Sequence, residues 1–221
     1  MNEEITIYGS GGNRAARVAW TVDELGLEVS YRHYDGMIGS DELRCLHPQA
    51  KIPAMQIGDF VLFESAPICQ HLCDITLGQN LLAPQGAKER SLHNQWVSFA
   101  QSEIEAYLWH SFQLVRLELA NSKTAAALAL NRQLAAAGLE VLEQHLTDQR
   151  FILGEQFSLT DIIVGWTTNW SRKSGLLESR PALQSYLARL FDRPHIALTW
   201  YGAASSIFVA DRLLCPKHRA L

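Results

Sequence analysis

The chain has 221 residues, of which 48% are hydrophobic and 19% charged, with a formal net charge of -4. That length buries a full core as one large domain or two smaller ones. The charges are scattered, with no basic run to hold nucleic acid. No apolar stretch approaches the roughly 20 residues of a membrane helix, and the acidic start Met1-Asn2-Glu3-Glu4 reads as no leader, so a cytoplasmic protein is expected. Cys45, Cys69, Cys73 and Cys215 include no Cys-x-x-Cys pair; reduced thiols and no metal site are expected.

In chain order, Ile5 to Tyr8 alternates as a strand, and Ala15, Val18, Ala19, Val22 and Leu25 recur at helical spacing before Gly26, a natural stop. Val29, Tyr31 and His33 alternate as a second strand. Ala54 to Ile57 and Phe60 to Phe63 flank Gly58-Asp59, a two-residue hairpin signal. With Ser65 as cap, Ile68, Leu72 and Ile75 define the inner face of a closing helix, and Pro67 is tolerated in its first turn. The order is βαβ, then ββα. Cys69 and Cys73 stand one turn apart on that helix and read as small buried residues.

Residues 78–87, carrying Pro84, read as a turn-rich linker between a first domain over 1–77 and a second over 88–221. Beyond it, helical periodicity takes over. Leu92, Trp96, Phe99 and Ala100 begin one face; Leu130, Leu134, Ala137 and Val141 form another in an alanine-rich helix. Ser158-Leu159-Thr160-Asp161 is a capping box with Asp in place of Glu, and Trp166, Trp170 and Trp200 read as core or interface residues. The second domain is expected to be an all-helical bundle.

The densest chemistry lies in His47-Pro48-Gln49-Ala50-Lys51-Ile52-Pro53 and in Glu64-Ser65. A proline opening a strand donates nothing to the ladder, and a cis bond there would turn the Ile52 amide and carbonyl outward, free to pair with an extended peptide. The Ser65 hydroxyl and the first free amides of a helix suit a carboxylate, and Glu64 suits an ammonium group. Upstream, Ser10-Gly11-Gly12-Asn13 between the first strand and helix offers a hydroxyl, a side-chain amide and the positive end of a helix. The same residues also serve as a tight turn and helix cap, so both roles stand open. A dinucleotide fingerprint is incomplete: Gly9 and Gly11 fit, but Arg14 occupies the third glycine position.

These motifs, with Tyr8-Gly9-Ser10, Glu24-Leu25-Gly26-Leu27 and Phe157-Ser158-Leu159-Thr160-Asp161-Ile162, make the chain resemble the cytosolic glutathione S-transferases over nearly its whole length. It departs from the usual text at His47, Ala50 and Pro67, where Asn, Gly and a non-proline are commoner. The resemblance implies an α/β thioredoxin-like N-terminal domain followed by an all-α domain, and a two-fold homodimer. It implies glutathione as co-substrate, with no further cofactor, held by Lys51, Ile52, Pro53, Glu64 and Ser65. Asn13 falls where many relatives have a catalytic Ser, with Ser10 three residues earlier. Tyr107 and His110 are expected on the wall of a pocket for a small hydrophobic electrophile. The reaction implied is conjugation of the glutathione thiolate; glutathione-dependent disulfide reduction and a non-catalytic binding or scaffold role are the alternatives. The role of the tail from Ser205 to Leu221 is left open.

Overall fold

The computed structural model describes residues 3–117 and 122–196; Trp200, Cys215 and the 205–221 segment lie outside the described residues. Internal contacts divide these into two compact units, one of residues 3–82 with 193–196 and one of 83–117 with 122–192. Each is built separately below.

The first unit contains β1 (Ile5–Tyr8), α1 (Ala15–Leu25), β2 (Ser30–Arg32), α2 (Asp41–Leu46), β3 (Ala54–Ile57), β4 (Phe60–Phe63) and α3 (Ser65–Ile75). Its four-stranded sheet has the order β2-β1-β3-β4, with β1 parallel to β2 and antiparallel to β3, and β3 antiparallel to β4. This is a thioredoxin-like layout. Gly26 stops α1 in the left-handed region at φ 63°, and its N–H and that of Leu27 close back on the carbonyls of Asp23 and Val22. Gly58 opens the β3–β4 hairpin at φ 55°, a backbone angle glycine adopts without a Cβ clash. Fully buried Ile7, Val18, Trp20, Met55, Ile68 and Leu72 form the core, with α1 packed on α3.

Three expectations need correction here. The helix α2 was not anticipated, although Ser40 caps it by accepting from the Leu43 N–H at 3.2 Å. Ile75 is 44% exposed and does not share the buried face of Ile68 and Leu72. Ser65 is the first residue of α3 and not its cap: Glu64 holds the cap position, with no side-chain cap bond.

The second unit contains α4 (Lys88–Ala100), α5 (Ala106–Arg116), α6 (Ser122–His145), α7 (Leu159–Ser171) and α8 (Pro181–Phe191). A π-helical turn, Gln101–Glu105, joins α4 to α5, its end marked by the Ala106 N–H reaching the carbonyl of Gln101. Gly138 of α6 lies against that turn; a Cβ there would stand 2.7 Å from the Glu103 carbonyl oxygen. The inner faces differ from the expected ones. On α4 the buried residues are Arg90, His93, Val97 and Ala100, while Leu92, Trp96 and Phe99 are half-buried. On α6 they are Asn131, Ala135, Leu139 and Leu142, with Leu130 and Val141 exposed at 54% and 44%.

The capping box of α7 is present, and Asp161 does more than cap. Its carboxylate accepts from the Ser158 N–H and hydroxyl, the Ile152 N–H and the Tyr186 hydroxyl at 2.9 to 3.1 Å. Burial pushes this carboxyl up to about 6, with those donors acting the other way. Glu143 performs the same service for α8, accepting the Ala182 and Leu183 N–H groups at 2.9 Å just behind Pro181.

In the first unit, Glu24 near the end of α1 accepts a two-pronged bond from Arg193, at 2.7 Å from Nε and 2.6 Å from Nη2, and a third bond from the Trp20 indole at 3.0 Å. Burial acts to raise the Glu24 carboxyl, but the bonds from Arg193 and Trp20 and the charges of Arg193 and His195 outweigh it, leaving the pKa below the ordinary 4.5. A depressed carboxyl contributes stability that is full above its unfolded pKa and lost as pH falls through the folded one. Glu24→Gln is therefore expected to destabilise the protein by about 1.5–3 kcal/mol at pH 7. The gap from wild type should narrow as unfolding is followed downward through the acid range, whereas a gap constant with pH would assign the loss to packing.

Candidate functional site

Three loops leave one end of the sheet, and the strand register explains why. Tyr8, the last residue of β1, stands opposite Ala54, the first of β3, and Ala54 stands opposite Phe63, the last of β4. The segments that follow or precede them, Gly9–Asn13, Lys51–Pro53 and Glu64–Ser65, are thus set side by side. Most of the residues singled out from sequence fall on these loops.

The middle loop carries the Ile52–Pro53 peptide in the cis form. Ile52 lies outside the ladder, which begins at Ala54, and neither its amide nor its carbonyl has a partner among the described residues. Its side chain is turned inward against Tyr8, Met37, Leu43, Ala50 and Ala54. The main chain, by contrast, offers one donor and one acceptor. Lys51 is exposed and Pro53 buried.

On the third loop, Glu64 is exposed and takes φ 72°, a region that non-glycine residues rarely occupy. Behind it, the amides of Ser65 and Ala66 have no partner among the described residues; Pro67 has no N–H, and the first intrahelical donor is Ile68, bonded to the Glu64 carbonyl at 3.1 Å. An 11-residue helix therefore presents two free amides and its positive end. The Ser65 side chain is buried, at 1% exposure, and its hydroxyl accepts from Arg17 Nη1 at 3.2 Å. Arg17, fully buried on α1, sets a guanidinium one hydrogen bond behind the start of α3. Sequence reading missed this role; the one charged residue in the stretch Ala15–Val22 was the available signal.

On the first loop, Asn13 is occupied with the turn itself. Its Nδ2 donates to the Ser10 carbonyl and its Oδ1 accepts from the Ala15 N–H, both at 2.8 Å, so that it fastens the start of α1. One N–H of the amide is left over. The Ser10 hydroxyl has no partner among the described residues and is half-buried. Tyr8 is buried and donates to Gln56 Oε1 at 3.0 Å, consistent with packing inward. Cys69, also buried, has its thiol pushed up to about 12 by burial, the chemistry of an inert core residue.

On the second unit, Tyr107 is half-buried on α5, and His110 is exposed with its Nδ1 3.1 Å from the Asn131 amide, which also donates to the Ser111 hydroxyl at 3.2 Å. Among the described residues no cluster of His, Cys, Asp or Glu suits a metal ion, and no helix is long and apolar enough to cross a membrane.

Comparison with known proteins fits this geometry. Residues 8–78 match the model of the glutathione S-transferase N-terminal domain, and residues 125–189 match that of the C-terminal domain. The chain belongs to the glutathione S-transferase family. It is 29% identical over 201 residues to glutathione S-transferase 3 of Zea mays, an alignment that covers 86% of this chain and 83% of that protein. It shares its fold, at a TM-score of 0.78 and 24% identity, with a glutathione transferase from Phanerochaete chrysosporium solved in complex with oxidized glutathione; 88% of this chain and 94% of that one align. It is also 35% identical over 133 residues to elongation factor 1-gamma of Danio rerio, covering 58% of this chain but 28% of that protein.

The first and middle loops meet at Gly9, whose φ is 110° and where a Cβ would stand 2.7 Å from Ile52 Cβ. Gly9→Ala brings both backbone strain and overlap, and is expected to lower the unfolding free energy by roughly 1–3 kcal/mol. Chemical denaturation measures this; an unchanged midpoint would show that Ile52 gives way freely.

Proposed function

We propose that this protein binds glutathione on the three loops and activates its thiol for attack on small apolar electrophiles. The observation that carries the reading is the unpartnered main chain of Ile52, set by the register beside the amino end of α3. An extended γ-glutamyl peptide supplies the missing carbonyl and N–H to Ile52. Its γ-glutamyl carboxylate takes the Ser65 and Ala66 amides, with the Arg17 charge behind them, and its ammonium group takes Glu64. Lys51 answers the second carboxylate, and Pro53 holds the segment at the mouth of β3. Both ends of the tripeptide are then fixed, which directs its sulfur toward the turn Ser10–Asn13.

A free thiol titrates near roughly 8.5, so conjugation at neutral pH requires donors that favour the thiolate. Here these are the Ser10 hydroxyl, the spare Asn13 N–H and the amino end of α1. None of them is a base; the rate gain comes from electrostatics and positioning, and the proton leaves to solvent. The thiolate then forms a carbon–sulfur bond while the leaving group departs with its electron pair. Exposed Phe60 on the edge strand β4 and exposed Ile75 on α3 support pairing of two copies.

Two further readings stay in view. Disulfide reduction uses the same socket and delivers the thiolate to sulfur. The likeness to elongation factor 1-gamma favours a binding or scaffold protein without turnover.

Titration calorimetry with glutathione, followed by turnover of a model aryl halide and of a small disulfide, separates the three. Saturable binding with thioether formation is the expected result. Binding without either turnover supports the scaffold, and no heat at millimolar glutathione removes the socket. For the thiolate donors, Ser10→Ala is expected to lower kcat by about tenfold or more with little change in glutathione affinity, since it removes a donor used at the sulfur. Asn13→Ala should act on turnover and on the unfolding midpoint together, because Asn13 also fastens α1. Equal kcat in Ser10→Ala and wild type would move the role to Asn13.

A further inference from the structure

His47 stands where two of the three loops can be held at once. It is 6% exposed, directly after α2. Its Nδ1 accepts the Gln49 N–H at 3.0 Å, and its carbonyl accepts the Ala50 N–H at 2.8 Å. The Ala50 carbonyl in turn accepts from the Gly39 N–H at 3.0 Å. Residues 47–50 are thereby closed into a turn that passes through Ala50 at φ 48°, the left-handed region, before releasing Lys51 and Ile52. A side-chain acceptor on Gln49 stabilises a backbone course that Ala50 would not choose alone.

The same ring lies against Phe63, with centroids 4.9 Å apart and planes at 50°. Phe63 ends β4 and immediately precedes Glu64, the other strained residue of the site. One buried imidazole thus touches the turn that delivers Ile52 and the strand end that delivers Glu64. A neutral ring whose Nδ1 accepts carries its proton on Nε2, so the lone pair serves Gln49 while the ring packs, tilted, on Phe63.

We infer that His47 is a positioning residue for glutathione: it sets the distance and angle between the Ile52 main chain and Glu64 without touching the ligand. This rests on the glutathione reading above. It predicts an effect on docking, which is common to ground and transition states, and not on the chemical step.

Three substitutions separate the contacts. His47→Ala removes both, His47→Asn restores an acceptor for the Gln49 N–H, and His47→Phe keeps a ring against Phe63 but no acceptor. Calorimetry is expected to give a glutathione Kd about three- to tenfold weaker for the Ala variant, the size of one net hydrogen bond. The Asn and Phe variants each keep one of the two contacts and should fall between the Ala variant and wild type, with kcat at saturating glutathione little changed throughout. Wild-type affinity in His47→Phe, or in a folded His47→Ala, overturns the inference, as does an Asn variant no better than Ala. Should wild type itself take up no glutathione, the underlying reading fails before any variant is compared.

Discussion

The site depends on one alignment, the register that puts Tyr8, Ala54 and Phe63 abreast across three neighbouring strands. A strand has a period of two, so a slip of one residue in the β3–β4 pairing, with β3 held by β1, would send Phe63 to the opposite face and carry Glu64 away from the Ile52 loop. The two-residue turn at Gly58-Asp59 prevents that slip at the far end of the hairpin. Fully buried Ile7 and Met55, facing each other on β1 and β3, reinforce it from the core. Loop chemistry here is a consequence of sheet packing.

Much of this was legible. The bounds of β1, α1, β3 and β4 follow from alternation and turn residues, and the Ser158–Asp161 box marks the start of α7 from four letters alone. Errors arose where small or polar residues face inward. The sequence pattern favours Leu130, Leu134, Ala137 and Val141 as the inner stripe of α6, but the core takes Asn131, Ala135, Leu139 and Leu142, one or two positions along. Gly138 is the reason. A close approach to the π-helical turn needs a residue with no side chain, and that turn, invisible to a 3.6-residue period, fixes which side of α6 must face it. His93, hydrogen-bonded to Thr160 across 2.9 Å, likewise turns α4 so that Leu92 is left half out.

For the site, the residue types were legible and their partners were not. That Lys51, Ile52 and Pro53 lead into a strand, and that Glu64 and Ser65 lie where a strand gives way to a helix, follows from the proline and the hairpin signal. That the Asn13 amide is spent on Ser10 and Ala15 cannot be read the same way, since an Asx turn and a ligand contact use the same atoms. Left-handed angles at Ala50 and Glu64 are equally hidden, for neither is the glycine that would announce them. Both depend on tertiary contacts holding the backbone there.

Arg17 shows how such contacts are shared between stability and function. An isolated buried guanidinium is costly, and Arg17 is fully buried. It is tolerated at a place where its Nη1 reaches Ser65 Oγ and its own carbonyl accepts from the Thr21 hydroxyl at 2.8 Å, so α1 and α3 are joined by a polar bridge within an apolar interface. The hydroxyl that accepts from Arg17 is polarised, and the charge lies behind the two free amides of α3. An anion arriving at those amides meets a field already in place, with no side chain left to order. The cation that burdens the folded chain is thus the same one that sets a positive field at the mouth of the helix, and α1 cannot be repacked around Arg17 without changing that field.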